Sequence, residues 1–257
     1  MRVVRVLESG VARWGVLETE GRVRLLSAAP YESDESGVDV GRVVEGASLL
    51  APVAPSKIVC VGRNYAAHAK ELGNEVPSEP LLFLKPPSSL VAPEGSILIP
   101  AQSQRVEHEG ELGIVIGKRL TRVSEDQARA GIFGVTAGND VTARDLQKKD
   151  VQFTRGKGFD TFCPVGPWIE TDTGDLSAIT VETRVDGVVR QHGSTANMIF
   201  AVPFLVSYIS NIMTLEPGDL VLTGTPEGVG PLVPGNVVEV SISGVGTLRN
   251  TVVAPAR

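Results

Sequence analysis

The chain has 257 residues, of which 42% are hydrophobic, and its formal net charge is −6. This length and hydrophobic content suit one large domain, or one large domain with one small domain. The negative charge counts against a nucleic-acid partner, because phosphate binding depends on clustered lysine and arginine.

Cysteine content and hydropathy narrow the class of protein further. The two cysteines, Cys60 and Cys163, are too few for a disulfide framework, and we expect each to be a small buried residue. No apolar run approaches the ~18 residues of a membrane helix, and the first residues lack the apolar core of a signal peptide. We therefore expect a cytoplasmic protein without a membrane partner.

Short strand-like runs occupy residues 3–6, 12–17 and 23–26, with glycine or acidic residues between them. Residues 31–41 are acidic and rich in turn formers, which predicts a surface loop. The prolines at positions 52 and 55 indicate a boundary, because proline fixes its own φ and restricts the residue before it. We predict a small β-rich domain at residues 1–54 and a larger domain at residues 55–257.

The next segment combines a buried strand at residues 57–62 with a helix at residues 63–73. His68 and Glu71 are three residues apart, so on a helix their side chains face each other. A carboxylate on one imidazole nitrogen leaves the other nitrogen free to act as a base. From the residues alone, an ordinary surface pair remains the alternative. A further strand at residues 80–86 carries Lys85 near its end, where a lysine is usually a solvated charge.

The stretch at residues 106–147 carries the densest group of acidic residues next to apolar strands. Because side chains alternate between faces of a strand, Glu109 and Glu111 share one face, and the apolar residues that follow line the other. A second apolar run at residues 131–135 leads to Asp140. If the two strands are neighbours, three carboxylates meet at one point.

Three carboxylates at one point require a cation. Unpaired carboxylates within about 4–6 Å repel each other, and one of them would have to hold a proton. Oxygen ligands without thiolates suit Mg²⁺ or Mn²⁺. The alternative is a solvated acidic strand, since Glu-x-Glu is common on exposed faces.

Several local patterns complete the second half of the chain. Ser124 is predicted to cap a short helix at residues 125–130, and Thr142-x-x-Asp145 has the form of a capping box. Arg144 is expected to pair with a neighbouring acid. Residues 154–160 predict a glycine-flanked basic loop around Lys157.

The last third of the chain predicts three further elements. Residues 179–189 predict a β-hairpin with Asp186-Gly187 at its turn. Residues 191–198 predict a polar loop, and residues 199–213 predict an amphipathic helix with Pro203 in its first turn. Few helices and many strands together predict a β-dominated α+β protein.

Four segments, taken together, closely resemble the fumarylacetoacetate hydrolase family: GRNYAAHAKELG, EHEGELGIVIGK, GNDVTARDLQ and LEPGDLVLTGTPEGVGPL. The resemblance runs from about Pro55 to Val253 in the family's order. It implies the family's mixed β-roll beside the small N-terminal domain, and a homodimer as the expected assembly.

The resemblance also implies roles for particular residues. The metal ligands would be Glu109, Glu111 and Asp140, binding Mg²⁺ or Mn²⁺. His68 and Glu71 would form a catalytic dyad on a segment that closes over the substrate. The active-site lysine would be Lys157. Three further residues would lie near the substrate, namely Lys85, Gln147 and Thr225.

The implied activity is cleavage of a carbon–carbon bond in a small 2-keto acid through a metal-stabilised pyruvate enolate, with acylpyruvate hydrolysis as the main expectation. Oxaloacetate decarboxylation and the isomerisation or decarboxylation of 2-hydroxyhepta-2,4-diene-1,7-dioate are the alternatives. True fumarylacetoacetases carry one more aspartate ligand, which the GRNYAAHA segment does not offer. A structural metal-binding protein is the non-enzymatic alternative, but it would need neither the His68–Glu71 pair nor Lys157.

Overall fold

The computed structural model describes residues 1–31 and 40–254, and most of their regular structure is strand. The β-dominated α+β prediction is therefore confirmed. The loop predicted at residues 31–41 lies mostly outside the described residues. Within the described ranges, no helix has the length and apolar character needed to cross a membrane.

The strands of the described residues follow one another along the chain as β1 (Arg2–Glu8), β2 (Val11–Leu17), β3 (Val23–Leu26), β4 (Val40–Val44), β5 (Ser48–Leu50), β6 (Ile58–Gly62), β7 (Leu81–Lys85), β8 (Leu90–Val91), β9 (Ser96–Leu98), β10 (Val106–His108), β11 (Gly110–Ile116), β12 (Ile132–Asn139), β13 (Thr142–Ala143), β14 (Cys163–Glu170), β15 (Thr180–Val185), β16 (Val188–Ser194), β17 (Leu220–Leu222), β18 (Gly230–Pro231), β19 (Val237–Ile242) and β20 (Gly246–Val253). The α-helices are α1 (Ala66–Glu71), α2 (Glu125–Ala130), α3 (Arg144–Asp150), α4 (Thr154–Lys157) and α5 (Val202–Ile212). Short 3₁₀ turns lie at Thr19–Gly21, Pro87–Ser89 and Thr195–Asn197.

A large sheet runs in the order β4-β3-β2-β1-β14-β12-β11-β17-β6-β7, and a five-stranded sheet runs in the order β16-β15-β19-β20-β9. The main apolar core lies between these sheets and α5, and it contains Leu112, Ile114 and Ile116 of β11. The predicted alternation along β11 is thus confirmed. Because β1 pairs with β14, the N-terminal strands extend the large sheet; the domain boundary at residue 54 stays a prediction.

The local patterns have mixed outcomes. Ser124 forms a full capping box with Gln127, and the hairpin turns at Asp186-Gly187 as predicted. The capping box at residues 142–145 is wrong, because the Thr142 hydroxyl donates to the Asp140 carbonyl and α3 begins without a side-chain cap. The predicted basic loop contains the short helix α4, and the predicted polar loop at 191–198 begins inside β16.

Asp219 aligns the strands that carry the site. Its carboxylate is fully buried and accepts hydrogen bonds from the backbone N–H groups of Ser56, Lys57 and Glu216 at 3.0, 3.1 and 2.8 Å. The Ser56 hydroxyl, at 2.7 Å, and the Lys57 ammonium complete the set. These bonds fix the start of β6 beside β17, which pairs in turn with β11.

A close approach of two strands occurs at Gly110, the residue between Glu109 and Glu111. A Cβ at Gly110 would lie 2.0 Å from Oγ1 of Thr183 in β15 and 3.2 Å from Val240. The Thr183 hydroxyl is itself buried and has no hydrogen-bond partner among the described residues. Only glycine therefore allows the acidic strand to pass this close to β15.

We expect Gly110→Ala to lower the free energy of unfolding by about 1–3 kcal/mol, the usual cost of overpacking a core. Adding Thr183→Ala removes the clashing oxygen, so the double variant should recover most of this loss. Urea unfolding of the wild type, both single variants and the double variant measures the effect. A Gly110→Ala protein as stable as the wild type, or no recovery in the double variant, would contradict the packing argument.

Candidate metal centre and active-site cavity

The three predicted carboxylates lie together, as the strand pattern predicts. Antiparallel pairing of β11 with β12 sets Gly110 opposite Asn139 and Glu111 opposite Gly138. The Asp140 N–H donates to the Glu109 carbonyl at 2.8 Å, which brings the end of β12 against the acidic strand. One oxygen from each of Glu109, Glu111 and Asp140 lies within 4.8 Å of the others, and all three side chains are buried.

Three buried cations balance these carboxylates. The Lys157 ammonium lies 2.8 Å from Glu109 Oε2 and 2.6 Å from Asp140 Oδ2. The Arg144 guanidinium donates to Glu109 and, at 2.7 Å, to Glu107. The Lys85 ammonium lies 2.7 Å from Asp140 Oδ1. Paired in this way, Glu109 and Asp140 can stay charged away from water.

Burial and neighbouring charges shift the pKa values of Glu109 and Glu111 in opposite directions. Burial opposes ionisation of Glu109, but Lys157 and Arg144 outweigh it and hold its pKa below the usual range. Burial, followed by repulsion from Asp140 and Glu109, raises the pKa of Glu111 well above the usual range. Glu111 forms no ion pair within the described part of the chain, so it is the carboxylate that gains most from a further cation.

The donor set fits a divalent ion. Asp140 Oδ1 is buried and accepts no hydrogen bond among the described residues. The Lys85 ammonium lies beside it as an ion-pair partner and donates its hydrogen bonds to the Val141 and Lys157 carbonyls. Glu111 accepts one hydrogen bond, from the Gly224 N–H to Oε2 at 2.7 Å. Carboxylate oxygens with spare lone pairs are the ligands that Mg²⁺ and Mn²⁺ prefer.

A cavity of about 330 Å³ opens over the carboxylates. This volume lies at the lower end of the ~300–1,000 Å³ that small-molecule sites occupy. Its lining residues are Val61, Gly62, Arg63, His68, Leu72, Asn74, Leu81, Phe83, Glu109, Glu111, Asp140, Arg144, Gln147, Lys148, Val151, Phe153, Lys157 and Thr225.

The His68–Glu71 pair forms on α1 and faces this cavity through His68. His68 Nδ1 lies 3.3 Å from Glu71 Oε2, and His68 is buried. Glu71 Oε1 accepts a hydrogen bond from the Gly228 N–H at 3.0 Å, so the carboxylate is held from two sides. Because a carboxylate accepts the Nδ1 proton, Nε2 is left as the basic nitrogen.

The remaining predicted residues take different places. Gln147 lines the cavity and accepts a hydrogen bond from Arg144 at 2.6 Å. Thr225 also lines it, but its hydroxyl donates to the Gly110 carbonyl at 2.8 Å. Lys85 is not a lining residue; it lies fully buried beneath Asp140. Lys85 therefore acts on the site through Asp140 in this structure.

Sequence reasoning missed Gln191, which is buried in β16. Its amide oxygen accepts from His108 Nδ1 and the Gly110 N–H, and its amide nitrogen donates to Thr225 Oγ1 and the Pro226 carbonyl. All four bonds hold residues beside the acidic strand. The sequence offered no signal for it, because residues 188–191 (VVRQ) do not alternate between apolar and polar side chains.

Two known family profiles match this chain. The profile described as "Fumarylacetoacetate (FAA) hydrolase C-terminal" matches residues 57–253, and a second, described as "Rv2993c-like, N-terminal", matches residues 1–52. Mitochondrial oxaloacetate decarboxylase of Dictyostelium discoideum is 52% identical over 197 residues, which cover 74% of this chain and 90% of that protein.

Two further relatives carry other activity names. Mitochondrial oxaloacetate tautomerase FAHD1 of Mus musculus is 46% identical over 198 residues, covering 75% of this chain and 89% of that protein. A crystal structure of 2-hydroxyhepta-2,4-diene-1,7-dioate isomerase from Mycobacterium marinum has a TM-score of 0.90 and 43% identity, with full coverage of both chains. Similar scaffolds thus carry different reaction names.

We expect Glu111→Gln to weaken Mg²⁺ and Mn²⁺ binding by roughly 10-fold or more, since even residues that only support metal ligands cost that much. The substitution keeps the side-chain shape and removes a carboxylate that no cation of the described residues pairs with. Turnover should be lost with the metal. Calorimetric titration of each metal into the variant measures the affinity.

Glu125→Gln is the control, because Glu125 is an exposed residue in the first turn of α2. Its metal affinity should equal that of the wild type. Unchanged affinity and full activity in Glu111→Gln would show that the metal site lies elsewhere.

Proposed function

The chain belongs to the fumarylacetoacetate hydrolase family, and from that premise we propose that it cleaves the C3–C4 bond of a 2-keto acid, with acylpyruvate hydrolysis as its main reaction. The observation that carries this proposal is the presence of the His68–Glu71 pair and the three carboxylates on one cavity. A pair that activates water is of use for hydrolysis, which consumes a water molecule.

The acidic cluster would receive the 2-keto acid end of the substrate. Members of the family commonly bind divalent metals. Bound Mg²⁺ or Mn²⁺, held by Glu109, Glu111 and Asp140, would supply Lewis-acid stabilisation of the enolate that forms when the bond breaks. Arg144 forms an ion pair with Glu109, and Lys85 forms one with Asp140. Their contribution is to keep the carboxylates charged and oriented.

His68 is the proposed general base. Glu71 fixes Nδ1 as the protonated nitrogen, so Nε2 removes a proton from a water that attacks the acyl carbon at C4. The C3–C4 bond then breaks, its electron pair passes to the pyruvate enolate, and the acyl group leaves as a carboxylic acid. Return of a proton to C3 gives pyruvate.

Lys157, Gln147 and Thr225 have supporting roles in this proposal. The Lys157 ammonium, which bridges Glu109 and Asp140 here, offers positive charge where negative charge develops on the substrate. Gln147 orients the substrate from α3, where Arg144 holds its side chain. Thr225, beside the Gly224 turn, is the proposed anchor of the substrate carboxylate, a role for which its hydroxyl would have to leave the Gly110 carbonyl.

A second candidate is oxaloacetate decarboxylation, favoured by the 52% identity to a protein of that name. This reaction passes through the same pyruvate enolate but needs no attacking water. The tautomerase and isomerase names of other relatives favour a third reaction that also forms an enolate. We propose that oxaloacetate is decarboxylated as a second activity at the same site. A homodimer in the cytoplasm completes the proposal.

We expect His68→Ala to lower the rate of acetylpyruvate hydrolysis by roughly 10²–10⁴-fold, the usual cost of losing a general base. Metal affinity should stay at the wild-type value, because His68 is not a ligand in this proposal. Oxaloacetate decarboxylation should fall less, since it lacks the water attack. Steady-state rates for both substrates, with calorimetry for the metal, measure these effects.

His192→Ala provides a matched control. His192 also pairs with a glutamate, at 3.2 Å from Glu182, but it is an exposed residue outside the cavity. This variant should hydrolyse acetylpyruvate at the wild-type rate. If His68→Ala does so too, His68 has no part in the reaction; if the wild type does not hydrolyse acylpyruvates, decarboxylation or isomerisation takes the place of hydrolysis.

A further inference from the structure

Arg63 lines the cavity and has no counter-ion among the described residues. It follows directly on β6, and its side chain is half-buried. Within residues 1–31 and 40–254, no carboxylate forms an ion pair with its guanidinium and no acceptor forms a hydrogen bond with it. A partly desolvated guanidinium without an anion is unfavourable, because charged groups removed from water are normally paired.

The backbone holds Arg63 in an unusual conformation. Its φ is +59°, in the left-handed region that non-glycine residues seldom adopt. The following residue, Asn64, is fixed by its side chain: Nδ2 donates to the Phe200 and Thr223 carbonyls at 3.1 and 2.8 Å, and Oδ1 accepts from the Phe200 N–H at 2.8 Å. Such strain persists where the surroundings enforce it, and it is concentrated at functional sites.

The other buried cations on this cavity are already committed. Lys157 and Arg144 each contact carboxylates of the acidic cluster. Lys148 is unpaired as well among the described residues, but it is exposed and can be solvated by water. Arg63 is the half-buried cation in the lining that no described residue pairs, so a ligand in the cavity can supply its partner. The apolar side chains of Leu72, Leu81 and Phe83 in the same lining would strengthen that pairing by excluding water.

We propose that Arg63 is a specificity-determining residue that binds a carboxylate on the part of the substrate beyond the cleaved bond. The substrate would then be a 2-keto acid with a second, distal carboxylate. This inference rests on the proposed function only in taking the 2-keto acid end to the acidic cluster. A guanidinium matches a carboxylate in shape and charge and can bind it through two hydrogen bonds.

Oxaloacetate fits this assignment less well than a longer acid does. Its second carboxylate is the group that leaves as CO₂, and its negative charge passes to the enolate. An arginine on that carboxylate would stabilise the reactant more than the transition state, which slows the reaction. A carboxylate at the far end of an acyl group keeps its charge throughout, so its contact with Arg63 assists binding without opposing the chemistry.

The test is a binding measurement with two ligands that cannot be hydrolysed at C4, because they lack a carbonyl there. 2-Oxoadipate has a distal carboxylate, and 2-oxohexanoate is its counterpart without one. Calorimetry on the Mg²⁺-supplemented wild type should give roughly 10- to 100-fold tighter binding of 2-oxoadipate, as expected for a charge-assisted hydrogen bond. Arg63→Gln should bring the ratio of the two affinities (2-oxoadipate over 2-oxohexanoate) close to one. Arg63→Lys should keep part of the preference for 2-oxoadipate.

Lys148→Gln is the control, because it removes a cation from the same lining without removing Arg63. Its ratio should match the wild type. Four results would each overturn the proposal. The wild type could bind both ligands equally, or Arg63→Gln could leave the ratio of the two affinities unchanged. Arg63→Gln could also weaken both ligands equally, or Lys148→Gln could lower the ratio as much as Arg63→Gln does. A clear ratio in a wild type that hydrolyses no acylpyruvate would reject the proposed reaction and leave the role of Arg63 intact.

Discussion

The balance of charge around three buried carboxylates is the constraint on which the rest of the site depends. Glu109, Glu111 and Asp140 each place one carboxylate oxygen within 4.8 Å of the others, so a single ion could contact all three. Burial makes the repulsion between the carboxylates strong. Lys157, Arg144 and Lys85 offset that repulsion. Removing one partner of such a set leaves an uncompensated buried charge, which typically costs about 3–5 kcal/mol. The same charged residues therefore affect both the free energy of unfolding and the binding of an ion at the cluster.

The same arrangement links the site to the glycine-rich bend at residues 224–230. The Gly224 N–H holds Glu111, and the Gly228 N–H holds Glu71 of the dyad. One bend thus positions a metal-ligand candidate and the carboxylate that pairs with the proposed base. Gln191 secures the bend from the other side through Thr225 and Pro226. The acidic strand and α1 are consequently tied to the same bend by backbone hydrogen bonds.

Short-range sequence patterns predicted the parts of the site that lie on one element. The strand period placed Glu109 and Glu111 on one face, and the helical spacing placed His68 against Glu71. Contacts between distant elements were beyond such patterns. Lys85 reads as a solvated strand end but is buried beneath Asp140, which lies 55 residues away along the chain. Gln191 reads as part of a polar loop, and its hydrogen-bond partners come from two distant segments, at residues 108–110 and 225–226.

The most direct test of a single site for both reactions uses oxalate, a planar mimic of the pyruvate enolate. Oxalate inhibition is measured against acetylpyruvate hydrolysis and against oxaloacetate decarboxylation in the wild-type protein with Mg²⁺. We predict competitive inhibition of both reactions with the same inhibition constant, because one set of carboxylates would hold the ion in each case. Inhibition of only one reaction, or clearly different constants, would contradict the account.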